Sequence, residues 1–220
     1  MRILVIAPHA DDEILGVGGT IGRFVSEGHQ VDTCIVTSGH SSMYTGDQLS
    51  IIRKEAIAAH DKLGINKTFF LDFPAVLLSE VPKVELNSRL SDIIHQVNPE
   101  ILFIPHFGDM HLDHYLVAQS AMVAGRPNGN QKIKKIYSYE TLSETEWNTP
   151  HSSTTFIPNT FVDISLFLDL KLECMKIYSS QLKKSPHPRS LDSIKALAIY
   201  RGSTIGAQAA EAFSLLRYII

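Results

Sequence analysis

The stretch MRILVIAPHADDEILGVGGT (residues 1–20) joins three different patterns. Residues 2–7 are a short apolar run typical of a buried strand, and apolar residues recur at helical spacing over 13–28. Between the two lie a proline, a histidine and three acidic residues. A strand that leads through a polar turn into a helix predicts a sheet of parallel strands, with functional groups at the strand ends.

The same alternation continues along the chain. Further strands are predicted at 31–37, 68–72, 101–105 and 133–140, with helices at 48–63, 83–97 and 111–124. A polar excursion covers 141–160, followed by a strand at 161–164 and helices at 166–180, 190–200 and 207–216. This order predicts an α/β fold with a mostly parallel sheet, helices on both faces, and a single domain over 1–220.

Composition narrows the function classes. The 220 residues are 44% apolar and 20% charged, with a net charge of −3, which favours neither nucleic acid nor an anionic membrane as partner. No apolar run approaches the roughly 18 residues of a membrane span, and no leader peptide is visible, so a cytoplasmic protein is expected. Cys34 and Cys174 are far apart, which predicts two buried free thiols and excludes a cysteine-based zinc site.

Two polar clusters follow predicted strands. PHADDE (8–13) follows the first strand and PHFGDMHLDH (105–114) follows the fourth. Because parallel strands end at one edge of a sheet, the clusters are expected to meet in one crevice. Two imidazoles and one carboxylate suit a catalytic Zn²⁺ or Fe²⁺ with an open position. The candidate residues are His9, Asp11, Asp12, Glu13, His106, Asp109, His111, Asp113 and His114.

Each cluster also has a simpler interpretation. Acidic residues at a helix start interact favourably with its dipole and can cap its N–H groups, and two histidines three residues apart can share an exposed helix face. Two such clusters after two strands of one sheet favour the metal interpretation. The glycines of GVGGT do not fit the dinucleotide fingerprint, because its sixth position is Ile21, so close packing against a neighbouring backbone explains them better than a nucleotide does.

These two clusters resemble the signature motifs of the PIG-L/LmbE-like zinc-dependent N-deacetylases. Supporting similarity comes from IIRKEAIAAHDKLGI (51–65), which resembles the family's Arg-x-x-Glu helix, and from YRGSTIGAQAAEAF (200–213), which resembles its C-terminal segment. The resemblance implies a Rossmann-like fold, hydrolysis of N-acetyl groups on N-acetylglucosamine-type sugars or conjugates, and frequent homo-oligomers.

The resemblance also implies individual roles. His9, Asp12 and His114 match the zinc ligands, and Asp11 matches the general base that deprotonates the attacking water. His111 matches the residue that stabilises the transition state, which it would do as a protonated donor kept charged by Asp113. Arg53 matches an arginine that holds substrate.

One departure concerns the segment TSGHSSMY (37–44), where His40 replaces an acidic residue that is usual in the family. The resemblance therefore does not predict how this segment contacts the substrate. Trp147, Tyr44 and Tyr139 are candidate sugar platforms, although packing is the more common role of such residues.

Several alternatives remain at this point. The 141–160 excursion is long enough to be a lid, a specificity loop or an oligomer contact. Apolar C-terminal residues suit an interface or the core equally, namely Phe213, Leu215, Leu216, Tyr218, Ile219 and Ile220. Rival functions are a zinc amidase for non-sugar amides, a nucleotide-dependent oxidoreductase and a non-catalytic metal-binding or scaffold protein.

Overall fold

A computed structural model describes residues 1–39, 45–128 and 132–220. The strands are β1 (Arg2–Ala7), β2 (Gln30–Ser38), β3 (Lys67–Pro74), β4 (Ile101–Pro105), β5 (Lys135–Tyr139), β6 (Thr160–Asp163) and β7 (Ala210–Tyr218). The helices are α1 (Asp12–Ser26), α2 (Gly46–Leu63), α3 (Lys83–Val97), α4 (Leu112–Ala124), α5 (Leu168–Ile177) and α6 (Leu191–Ser203), with a short 3₁₀ turn at Leu78–Glu80.

The described strands form one seven-stranded sheet in the order β3-β2-β1-β4-β5-β7-β6. Strand β1 lies near its centre and pairs in parallel with β2 on one side and β4 on the other. The chain order of the strands reverses between β1 and β4, which is where α/β sheets open a crevice at the carboxyl ends of their strands. Both polar clusters start at this point, as the sequence predicts.

Apolar residues form a core on each face of the sheet. One core packs α3 and α4 against the strands through residues such as Leu90, Ile94 and Val117. The other packs α1, α2 and α5, with Ile14 and Met175 among its buried members. The prediction of a mostly parallel α/β sheet with helices on both faces is confirmed.

The C-terminal helix predicted at 207–216 is wrong, because this segment forms strand β7. Strand β7 pairs antiparallel with both β5 and β6, and Ala210, Glu211, Ala212 and Phe213 are buried. Pairing on both edges outweighs the helix propensity of an alanine-rich segment. Phe213 belongs to the core, whereas Leu216, Tyr218, Ile219 and Ile220 are exposed.

The glycines of α1 are explained by close packing, but against side chains rather than backbone. A Cβ on Gly16 would lie 2.2 Å from Tyr139 Cδ2, and one on Gly19 would lie 2.6 Å from Ile164 Cδ1. Glycine at these two positions therefore lets α1 approach Tyr139 at the end of β5 and the segment after β6.

Two compositional predictions have different outcomes. Cys34 and Cys174 are buried free thiols, as predicted. In the described ranges, none of the helices combines the length and hydropathy that a bilayer crossing requires. The cytoplasmic location stays a prediction.

Candidate metal centre and active site

The turn after β1 places Asp11 in an unusual backbone conformation. Asp11 has φ 110° and ψ −24°, a left-handed region that non-glycine residues rarely adopt. Its N–H donates to Glu13 Oε2 at 3.1 Å, and its side chain makes no capping hydrogen bond to α1. The acidic residues therefore do not serve mainly as a helix cap, and backbone strain of this kind is typical of functional sites.

His9, Asp12 and His114 converge at the end of β1 and the start of α4. One ligand atom from each lies within 4.8 Å of the others. Asp12 Oδ2 is 3.3 Å from His9 Nδ1 and 3.2 Å from His114 Nε2. Asp12 Oδ1 and His114 Nε2 are buried without a hydrogen-bond partner in the described structure. Buried orphan atoms of these types fit a divalent metal, because coordination would satisfy them.

Both histidines of this triad have a carboxylate on their other ring nitrogen. His9 Nε2 donates to Asp113 Oδ2 at 3.1 Å, and His114 Nδ1 donates to Asp109 Oδ2 at 2.8 Å. Such outer carboxylates fix the tautomer and orientation of metal-ligating imidazoles. A second possible cluster of His9, His111 and Asp113 is less suitable, because Asp113 Oδ2 already accepts from His9 and from the Val76 N–H.

The charges of the triad support one another. Burial opposes protonation of His9, but hydrogen bonds to Asp113 and Asp12 outweigh it and raise its pKa to about 8. Burial likewise opposes protonation of His114, while Asp12 and Asp109 hold its pKa well above the usual value. Burial would raise the pKa of Asp12, but the two histidines hold it well below the usual value. The site thus keeps Asp12 ionised and favours protonation of both histidines. A metal ion would therefore compete with protons for the two imidazoles.

Arg189, from the loop between α5 and α6, binds the side chain of Asp11. Its Nη1 is 3.1 Å from Asp11 Oδ2, its Nε donates to Ser143 Oγ at 2.8 Å, and its Nη2 is 3.5 Å from Glu144 Oε1. Asp11 Oδ1 is buried and has no partner in the described structure. Burial raises the pKa of Asp11 to about 7, with Arg189 opposing that rise. Asp11 is thereby an anchored carboxyl group with one available oxygen.

Asp113 lies beside His111, as expected of its carboxylate partner, but at ion-pair rather than hydrogen-bond distance. Their Nδ1 and Oδ2 atoms are 3.9 Å apart, and it is the backbone N–H of Asp113 that donates to His111 Nδ1, at 3.1 Å. Burial and the neighbouring His9 lower the pKa of His111 to about 4, so the ring is neutral rather than protonated. Because Nδ1 accepts a hydrogen bond, the proton lies on Nε2, which leaves His111 a neutral donor.

The remaining candidates have structural roles. Glu13 Oε1 accepts hydrogen bonds from Tyr178 Oη at 2.6 Å and from His60 Nε2 at 3.0 Å. His106 lies outside the triad, and its Nε2 donates to the Thr154 carbonyl at 2.9 Å.

The 141–160 excursion packs onto the second polar cluster. Thr145 Oγ1 donates to Asp109 Oδ1 at 2.6 Å, and the Met110 N–H donates to the Glu144 carbonyl at 3.1 Å. The Asn148 side chain donates to the Gly108 carbonyl. The excursion is therefore a wall of the site that also supports Asp109, the partner of His114.

A cavity of about 580 Å³ opens beside the triad. His9, Asp11, His111, Glu144 and Arg189 lie at its polar end. Another wall comes from β2, α2, β3 and the residues that follow β3, with apolar lining residues Ile35, Leu49, Ile52, Phe70, Ala75 and Val76. The size suits a small ligand such as a sugar.

Arg53 lines this cavity, as expected of a substrate-holding residue. Its Nη1 donates to Asp72 Oδ1 at 2.9 Å, and its guanidinium lies 4.0 Å from the centroid of Phe70. Tyr139 is fully buried with its hydroxyl on the Ile6 carbonyl, so its proposed role as a sugar platform is wrong. Trp147 is exposed and packs edge-on to His187, away from the cavity lining. His40 and Tyr44 lie outside the described residues.

Sequence reasoning did not identify Arg189, Glu144 or Asp72. None lies in a recognisable motif, and Arg189 is 178 residues from Asp11 in the chain. The role of Asp109 as partner of His114 was detectable only as membership of the second cluster.

Known proteins resemble this chain over most of its length. It is 27% identical to the diacetylchitobiose deacetylase of Thermococcus kodakarensis, over 96% of this chain and 81% of that protein. It is 30% identical to the uncharacterized deacetylase YaiS of Escherichia coli, over 81% of this chain and 90% of that protein. The crystal structure of the conserved protein TT1542 from Thermus thermophilus superposes with a TM-score of 0.80 at 28% identity, covering 99% of this chain and 96% of the other.

The family model described as PIG-L, GlcNAc-PI de-N-acetylase, matches residues 4–124. The match spans more than half of the chain and includes both polar clusters with the whole His9, Asp12 and His114 triad. The chain therefore belongs to the PIG-L family.

Proposed function

We propose that this protein is a metal-dependent hydrolase that removes an N-acetyl group from an N-acetylglucosamine-type sugar or conjugate. The observation that carries the proposal is the convergence of His9, Asp12 and His114 beside an anchored Asp11 with one available oxygen. The deacetylase relatives support the reaction class, and the diacetylchitobiose enzyme supports a sugar substrate. Residues 1–220 act as one deacetylase domain in this proposal.

His9, Asp12 and His114 would hold the metal, with Zn²⁺ first and Fe²⁺ as an alternative for the same donor set. The ion would supply Lewis acidity and lower the pKa of water towards about 7. Asp113 and Asp109 hold the two imidazoles in the tautomers that leave His9 Nδ1 and His114 Nε2 as donors to the metal.

The other groups move or stabilise charge. Asp11 Oδ1 accepts a proton from the attacking water while Arg189 holds Oδ2 in place. The neutral His111 donates from Nε2 to the carbonyl oxygen as negative charge develops, a contribution of about 3 kcal/mol for one such donor. When the C–N bond breaks, Asp11 returns the proton to the leaving amine, and acetate and a free amine result. Arg53 and the wall of the cavity position the sugar.

The first test combines metal analysis with acetate release from a panel of N-acetylglucosamine derivatives. We expect about one equivalent of zinc or iron per chain and release of acetate. In Asp11→Asn, we expect turnover to fall by about 10²-fold or more, because the general base is lost, while metal content is retained. If Asp11→Asn turned over substrate as fast as the unmodified protein, Asp11 would not be the general base.

Two other results would redirect the assignment. Bound metal without acetate release from any sugar would favour the amidase alternative, in which the same site hydrolyses a non-sugar amide. A chain that binds no divalent metal in chelator-free buffer would contradict the proposal altogether.

A further inference from the structure

The charged residues that line the 580 Å³ cavity indicate which substrate charge the site accepts. This inference rests on the proposed deacetylase function. Arg53 and Arg189 are the lysine or arginine residues that line the cavity in the described part of the chain. Segment 40–44, which lies outside the described residues, reads HSSMY and contains neither a lysine nor an arginine. An anionic substrate would therefore depend on these two guanidinium groups.

Arg53 is already paired on two sides. Its Nη1 is 2.9 Å from Asp72 Oδ1, and its Cζ lies over the ring of Phe70. Asp72 lines the same cavity, so an incoming anion would meet its carboxylate together with the guanidinium. The pair offers hydrogen-bond donors and acceptors for hydroxyl groups but little net positive charge.

Arg189 is paired more completely. Asp11, Ser143 and Glu144 all contact its guanidinium, and the side chain is only 16% exposed. Releasing this arginine to an anion would expose the Asp11 and Glu144 carboxylates in a partly buried site. Such unpaired buried charges are unfavourable.

The metal end of the cavity does not supply an excess of positive charge. The triad contains Asp12, and Asp11, Asp109 and Asp113 lie around it, so four carboxylates outweigh the charge of a divalent ion there. The rest of the lining is apolar or carries hydroxyl and amide groups, such as Thr37, Ser50 and Gln181. This lining complements the hydroxyl groups and apolar faces of an uncharged sugar.

We propose that the substrate is an N-acetylated glucosaminide whose remaining part carries no net negative charge. A carboxylate or phosphate group on that part is disfavoured because both cavity arginines are occupied by the protein's own carboxylates. The ion pairs thus act as a charge filter on the part of the substrate that is not hydrolysed.

The test compares two glycosides of N-acetylglucosamine that differ mainly in charge, the hydroxyethyl and the carboxymethyl glycoside. We expect kcat/KM for acetate release to be at least tenfold higher for the neutral glycoside at low ionic strength. The difference should shrink as salt is added, because salt screens the repulsion. Equal or faster release from the carboxymethyl glycoside would overturn the proposal.

Asp72→Asn frees Arg53 without removing the shape of its partner. Asp72 has φ 56°, a conformation that asparagine tolerates well. We expect this variant to raise the kcat/KM ratio of the anionic to the neutral glycoside by threefold or more. The matched control is Glu27→Gln, which breaks an Arg23–Glu27 pair of similar length and exposure on the surface. It should leave the ratio unchanged.

The remaining outcomes are equally decisive. An unchanged ratio in Asp72→Asn, with both proteins folded, would show that the ion pair does not set the preference and would overturn the charge filter. Absence of acetate release from both glycosides and from N,N′-diacetylchitobiose, with bound metal present, would contradict the sugar deacetylase function itself and this proposal with it. N,N′-Diacetylchitobiose is a neutral disaccharide. Including it separates a protein without deacetylase activity from one that requires a second sugar unit in its substrate.

Discussion

At the scale of single residues, the two carboxyl oxygens of Asp11 have different surroundings. Oδ2 is held by Arg189, whereas Oδ1 is buried without a partner in the described structure. Asp11 has a left-handed backbone and makes no capping hydrogen bond to α1 through its side chain, and its amide N–H donates to Glu13 Oε2. Adjacent aspartates can thus serve different purposes, with Asp12 facing the two histidines and Asp11 facing the cavity.

Replacing Arg189 tests this arrangement. We expect Arg189→Gln to lower kcat by roughly 10- to 100-fold, since a charged hydrogen bond of about 1.5–3 kcal/mol no longer orients the base. The positive charge of Arg189 opposes the burial that raises the pKa of Asp11, so its loss should move the acid limb of the pH–rate profile to higher pH. Steady-state kinetics across pH measures both effects. An unchanged kcat at equal metal content would contradict this role.

The pKa of His9 predicts how metal binding depends on pH. In the metal-free protein His9 is protonated below about pH 8, and a protonated ring cannot bind a metal. Affinity for Zn²⁺ should therefore fall as the pH decreases through 8, by at least about tenfold per pH unit. Isothermal titration calorimetry between pH 6 and 8.5 measures this change and the protons released.

A variant identifies the cause. Asp113→Asn removes a hydrogen bond that raises the pKa of His9, so the same fall in affinity should begin at lower pH. Affinity that does not vary with pH in the unmodified protein would contradict the assignment of His9 as a ligand.

At the scale of elements, helix α1 depends on glycine where it meets Tyr139. Tyr139 is fully buried, and its hydroxyl donates to the Ile6 carbonyl at 2.9 Å, so the ring cannot easily move aside. We expect Gly16→Ala to reduce the free energy of unfolding by about 1–3 kcal/mol through overpacking, despite the better helix propensity of alanine. Urea unfolding measures the change.

Gly46 is the matched control for this substitution. It also lies in a helix, at the start of α2, but a Cβ there would meet no atom within 4 Å. Gly46→Ala should leave stability unchanged or slightly raised. Equal effects of the two substitutions would mean that the contact with Tyr139 does not constrain α1.

At the scale of the whole molecule, a buried ion pair joins the first helix to the last strand. Lys171 Nζ is 2.6 Å from Glu211 Oε1 and donates to the Leu15 carbonyl at 2.8 Å. The carboxylate of Glu211 accepts from the N–H groups of Gly19 and Thr20. The pair thus inserts into the hydrogen-bond ladder of α1 and fixes β7 and α5 to it.

Breaking this pair should be costly. We expect Lys171→Met to lower the free energy of unfolding by about 3–5 kcal/mol, because it leaves the Glu211 carboxylate buried without its cation. The control is Lys62→Met, which removes an exposed pair with Glu173 and should leave stability nearly unchanged. Thermal unfolding of both variants gives the comparison. Similar midpoints would show that α1 does not depend on the buried pair.

Local patterns in the sequence predicted most elements and the two polar clusters, and the family resemblance singled out His9, Asp12 and His114 within those clusters. Strands at 2–7 and 101–105 and the helix at 83–97 have the predicted bounds, because their apolar spacing reflects the faces they bury. The alanine-rich end of the chain was misassigned, since its strand conformation comes from pairing with β5 and β6. The contact between His111 and Asp113 was predicted only in outline, because residue spacing does not show that the N–H of Asp113, rather than its carboxylate, bonds to the ring.

The sequence by itself determined the α/β class, the two polar clusters at strand ends and the residue types that suit a metal. These features are local, since each depends on residues within one strand, turn or helix. Only the tertiary structure decided that Arg189 anchors Asp11 and that Asp72 and Glu144 pair with the cavity arginines. It also decided that Glu211 enters α1. Most of these contacts join distant segments, and their geometry is set by how helices and strands pack rather than by any local pattern.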